Sequence, residues 1–144
     1  MTKRIVFILA AILVFAAAAP CLAAGDYAKV INKDKPGMVI DIEKYVVKGK
    51  ICIFDFYSEY CGPCIRLAPK LEELDRKRDD IVVMKLDINR AGVSGIDWGS
   101  PLAKAYKIQS VPNFFIYGTD GKATHSGQGA SEKVMEYLKT TGIR

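Results

Sequence analysis

The stretch from Ile51 to Leu74 constrains the fold more than any other part of the chain, because two hydrophobic periodicities meet there across one short turn. Ile51 to Tyr57 is a near-continuous apolar and aromatic run interrupted only by Asp55, the pattern of a strand buried on both faces. Beyond Cys61-Gly-Pro-Cys64, Leu67, Leu71 and Leu74 recur at helical spacing with charges between them. A strand, a sharp turn and a helix start are therefore expected. Pro63 suits the first turn of that helix, where its missing N–H costs nothing, and Pro69 inside the pattern predicts a kink.

The rest of the chain continues the alternation. A short strand is expected at Met38 to Ile42, a turn at Lys48-Gly49-Lys50, and a strand at Ile81 to Ile88. Asn89 to Gly99 reads as a loop carrying the sole tryptophan, Trp98. Ser100 and Pro101 supply a cap and a first-turn proline for a short helix through Tyr106. Asn113 to Tyr117 and Ala123 to Ser126 form a hairpin around Gly118 to Gly121, and Ser131 caps a last helix whose Val134, Tyr137 and Leu138 share one face. This order predicts an α/β sandwich with a mixed central sheet.

The chain opens with Lys3 and Arg4, an apolar stretch from Ile5 to Ala19, and a small-residue exit to Ala24. That is the layout of an export signal, too short for a mature membrane span. The expected division is a cleaved signal over residues 1–24 and one domain over 25–144. Removal of the signal takes away Lys3 and Arg4 and no acid, lowering the net charge from +5 to +3. So mild a balance predicts solubility and no nucleic-acid partner. The competing outcomes are an uncleaved anchor or lipid attachment at Cys21, the latter disfavoured by Pro20 where lipoprotein signals carry a small residue. Export places the thiols where disulfides persist, in the bacterial periplasm.

Two cysteines two residues apart can clip a metal, staple a fold or carry redox chemistry. A closed zinc site takes four ligands, and this chain offers one pair, His125 and Cys52. No metal is expected. A bridge closing so small a loop removes little chain entropy, which argues against a staple. At a helix N-terminus, by contrast, Cys61 would meet unpaired N–H groups and the positive end of the helix dipole, which stabilise the attacking thiolate. Cys64, one turn along, would resolve the mixed disulfide. This reading requires the sulfur of Cys61 to be solvent-reachable. Cys52, mid-strand, is expected to be a buried bystander, and His125 a surface residue.

With that pair between an apolar strand and a proline-containing helix, the chain resembles the thioredoxin family over nearly all of residues 25–144. The resemblance implies the thioredoxin fold, a mixed sheet flanked by helices on both faces, acting as a monomer without a cofactor beyond the Cys61–Cys64 disulfide. It implies that Asp55 takes the proton of Cys64 through water, as its burial in an apolar strand also suits, with Lys85 close to Asp55. It implies a cis peptide bond at Val111-Pro112, with the Val111 backbone pairing with substrate. Tyr60, Gly62, Pro63, Val111, Pro112 and Gly127 would then line the substrate groove. Tyr60 and Tyr57 stand where the family commonly has tryptophan, and the loop from Asn89 to Gly99 is longer than in compact members. Trp98 is expected either to contact a partner or to lie over the local core, the latter preferred because large aromatics are mostly buried.

The implied activity is reduction of disulfides in partner proteins, because Gly62-Pro63 resembles the reducing branch. The electron donor would be a membrane-bound thiol protein. The alternatives are a periplasmic disulfide-forming oxidase or isomerase, or a non-catalytic binding module.

Overall fold

The computed structural model describes residues 26–144, so the expected signal over residues 1–24 and Cys21 within it lie outside the described residues. The elements in chain order are β1 (Lys29–Val30), β2 (Ile51–Tyr57), α1 (Gly62–Lys77), β3 (Ile81–Asp87), α2 (Pro101–Ala105), β4 (Asn113–Tyr117), β5 (Ala123–Ser126) and α3 (Gly127–Thr140). They build a five-stranded sheet in the order β1-β3-β2-β4-β5. β1, β3 and β2 run parallel, whereas β4 and β5 are antiparallel to their neighbours, giving the mixed sheet expected of the sequence.

The alternation of side chains along a strand separates two cores. On one face Ile53, Val83, Phe114 and Ile116 pack under Leu71 and Leu74 of α1 and Val134 and Leu138 of α3. On the other, Cys52, Phe54, Phe56 and Leu86 pack against Leu102 and Ala103 of α2 and against Ile42. Helices therefore cover both faces, and β2 lies between two buried layers, which is why its sequence is apolar almost throughout. α1 continues through Pro69 to Lys77.

Two expectations need correction. Met38 to Ile42 forms no strand. The Tyr106 hydroxyl donates to the Ile40 carbonyl at 2.6 Å and accepts from the Ile42 N–H at 3.2 Å, and a 3₁₀ turn follows over Ile42–Tyr45. The parallel edge position is taken instead by β1, whose two residues are too few to show a period. Ser131 does not cap α3, which begins four residues earlier because β5 runs directly into it; the Ser131 hydroxyl donates back to the Gly127 carbonyl at 3.1 Å. Ser100 does cap α2, accepting from the Ala103 N–H at 3.1 Å.

Candidate active site

β2 delivers the chain to the site and Ser58 turns it. This fully buried serine accepts the Cys61 N–H on its carbonyl at 3.1 Å and the Tyr60 N–H on its hydroxyl at 3.2 Å. Ser58 is not among the candidate residues above, although a serine directly after a strand is the signal of such a turn. α1 then starts at Gly62, with Cys61 as its N-cap. The Cys64 N–H donates to Cys61 Sγ at 3.1 Å, and Pro63 has no N–H to leave unpaired. Cys61 and Cys64 are joined in a disulfide with Cα atoms 5.2 Å apart. The redox group is thus part of the chain itself.

The Val111-Pro112 peptide bond is cis, and the Val111 carbonyl oxygen lies 3.5 Å from Cys61 Sγ. A disulfide sulfur carries no proton, so this is a contact in the oxidised state and an acceptor for the thiol once reduced. The expectation of an open Cys61 needs correction for the oxidised protein: the residue is 3% exposed and Cys64 4%. The exposed rim consists of Tyr60, at 47%, with Gly62 and Pro63.

Asp55 is 2% exposed, and its Oδ1 is buried with no hydrogen-bond partner. Burial pushes the carboxyl up from 3.8 to about 7, with the Lys85 ammonium opposing in part. Lys85 lies directly across the parallel strand pair from Asp55. Its ammonium, however, lies 4.4 Å from the centroid of the Tyr57 ring. Gly127 opens α3 at φ +58° and borders a shallow depression shared with Asn113 and Phe115, so it lies beside the strand that follows Pro112.

Cys52 is fully buried and free, its sulfur accepting the Val47 N–H at 3.2 Å, and burial pushes its thiol up. His125 is exposed, as expected. Trp98 is 44% exposed and does not lie over the core. Ile96 of the same loop packs against the core, while Arg90 grips the buried Asp97 through two side-chain bonds at 2.7 and 3.0 Å. Among the described residues no group of three or more His, Cys, Asp or Glu side chains could hold a metal ion.

A family model described as Thioredoxin matches residues 38–140. Thioredoxin F2, chloroplastic, of Arabidopsis thaliana is 38% identical over 101 residues, 65% of this chain and 50% of that protein. Thioredoxin F, chloroplastic, of Oryza sativa subsp. japonica is 36% identical over 92 residues, 63% of this chain and 45% of that one. The chain thus spans about half the length of these curated relatives. Among solved structures, the oxidised thioredoxin of Plasmodium falciparum superposes with a TM-score of 0.51 at 22% identity, covering 80% of this chain and 98% of the other, a likeness of fold. With its family match covering well over half of its length and its cysteine pair capping α1, the chain belongs to the thioredoxin family.

Proposed function

We propose that this protein reduces disulfides in partner proteins through Cys61 and Cys64. The observation that carries the reading is the position of Cys61 Sγ as the N-cap of α1, accepting the Cys64 N–H and facing the Val111 carbonyl. Negative charge on that sulfur is favoured by the N–H and by the helix dipole, and the thiolate is the attacking species. In the reduced protein, Cys61 thiolate attacks one sulfur of the partner disulfide; a new S–S bond forms, and the other partner sulfur leaves as a thiolate. Asp55 takes the proton of Cys64, whose thiolate attacks Cys61 Sγ. The Cys61–Cys64 disulfide closes and the second partner sulfur departs. Two electrons pass to the partner, and an external dithiol must return them. Tyr60, Gly62, Pro63, Val111, Pro112 and Gly127 form the groove that receives the partner chain.

The test combines a trapping variant with a potential. Cys64→Ser should accumulate mixed disulfides through Cys61 when mixed with a disulfide-bonded protein, and the wild-type couple should equilibrate near about −270 mV rather than near about −120 mV. Non-covalent capture alone would replace this reading with a binding module. A potential at the oxidising end would replace it with an oxidase.

Export to the periplasm, with a membrane-bound thiol protein as electron donor, belongs to the same reading. Its support is the charged, apolar and small-residue order of residues 1–24. The mass of the protein recovered from the producing cell distinguishes cleavage near Ala24 from an intact or lipidated N-terminus.

A further inference from the structure

Four side chains form a square on the α1 and α3 face of the sheet. Asp55 and Tyr57 on β2 stand opposite Lys85 and Asp87 on β3, and all four share the face of Ile53 and Val83. Within this square Asp55 Oδ1 is buried without a hydrogen-bond partner, although a lysine stem rises directly across the strand pair. An orphaned buried carboxylate oxygen is costly and should draw any cation in reach. The Lys85 ammonium nevertheless lies over the Tyr57 ring, at 4.4 Å from its centroid. Attraction of an ammonium to an aromatic face is strongest where water is partly excluded, and both residues are half-buried.

We propose that Tyr57 is a positioning residue for Lys85: its ring holds the ammonium away from an ion pair with Asp55, leaving that carboxyl free to accept the proton of Cys64. This rests on the reading of Asp55 as proton acceptor given above.

The other charges around the square fit a role for the ring and not for the hydroxyl. Burial, then Asp87, Asp55 and the Glu59 carboxylate, push the Tyr57 phenol up to about 12, so it stays protonated through the working range. Asp87 is half-buried, and its Oδ1 accepts the Asn89 N–H at 2.9 Å, so that oxygen is engaged toward its own loop. Tyr57 and Asp87 line a surface opening with Asp26, Lys29 and Lys33 of the N-terminal segment, where Lys29 pairs with Asp26 at 3.6 Å. Phe114 of β4, on the opposite flank of Asp55, brings no charge. Cys64 of α1 is bound in the disulfide.

The test is direct titration of the Asp55 carboxyl by carbon NMR in the full chain, which needs no turnover. Tyr57→Phe keeps the ring and should keep the wild-type midpoint. Tyr57→Leu, with the β-former Tyr57→Ile as a second replacement, should lower it by about one pH unit as the ammonium closes on Oδ1. In a Lys85→Met background the same replacements should leave the midpoint unmoved. A midpoint that stays put or rises in Tyr57→Leu and Tyr57→Ile, or that falls equally without Lys85, overturns the proposal. Failure of the proton-acceptor reading appears separately, as an Asp55→Asn variant whose pH profile for disulfide reduction matches wild type.

Discussion

The amide of Cys64 donates to the sulfur of Cys61 at 3.1 Å, so the helix that carries the second cysteine is capped by the first. On reduction that amide would favour the thiolate at Cys61. Reduced protein should therefore be alkylated by iodoacetamide at Cys61 about tenfold faster than free cysteine at neutral pH, since a free thiol there is only a few per cent thiolate. Cys52 should react only after unfolding, because it is fully buried and its thiol is pushed up by burial. Peptide mapping of the labelled protein reads both outcomes. Alkylation of Cys61 no faster than free cysteine would remove the physical basis of the proposed reaction.

Asp55 makes the protein less stable as pH rises. Its folded pKa of about 7 stands above the ordinary 3.8, so between these values the unfolded chain releases the proton while the folded one holds it. Below this window both states are protonated and the penalty vanishes; above it the penalty is constant, on the order of 4 kcal/mol. Urea unfolding of oxidised wild type and Asp55→Asn should show the stability difference moving in favour of the variant by that order between about pH 3.5 and pH 9. Parallel stability curves for the two proteins would show that the carboxyl is not held up by burial.

The hydroxyl of Tyr106 fixes the segment before the 3₁₀ turn, accepting from the Ile42 N–H and donating to the Ile40 carbonyl. Tyr106→Phe keeps the ring contacts with Phe56 and Phe115 but strips a partner from each of two backbone groups. It should cost about 1–3 kcal/mol. Amide exchange should accelerate at Ile42 while β2 keeps its protection, since β2 is held by β3 and β4 on its two sides.

That bond also explains which parts of the molecule could be read from the chain. β2, α1 and the cysteine turn declare themselves because both layers above and below β2 demand apolar residues, and because Pro63 has few other places to stand. Ser100-Pro101 announces α2 by local chemistry alone. Met38 to Ile42 misleads for the opposite reason: its apolar residues suit a strand, but the partner that decides their conformation, Tyr106, is more than sixty residues away. Ser131 has the right chemistry for a cap, but β5 leads into α3 with no intervening loop. At the site, the cysteines and the burial of Asp55 were legible. Where the Lys85 ammonium would point was not, since the choice between a carboxylate and a ring depends on side-chain geometry. Trp98 defeats a general tendency of large aromatics, because Ile96, two residues earlier, makes the core contact in its place.

The loop that carries Trp98 is held by one ion pair of unequal partners. Asp97 is 5% exposed at its side chain, whereas Arg90 is 45% exposed. The guanidinium bonds, foremost, hold the Asp97 carboxyl below the usual carboxylate range. A depressed folded pKa means that the pair stabilises the loop above the ordinary range and is lost as pH falls through the lowered value. Arg90→Met should therefore shift loosening of the loop to higher pH, toward the ordinary carboxylate range near about 3.9. Asp97→Asn should remove the acid transition of the loop, because the loop then carries no carboxyl to titrate. Trp98, the sole tryptophan, reports both through fluorescence anisotropy in the folded protein, with far-UV circular dichroism confirming that the sheet persists. Superimposable anisotropy profiles for wild type and Arg90→Met would show that the loop is held instead by the Asn89 side chain, which donates to the Gly95 carbonyl and accepts from the Asp97 N–H, and by the Ile96 contact.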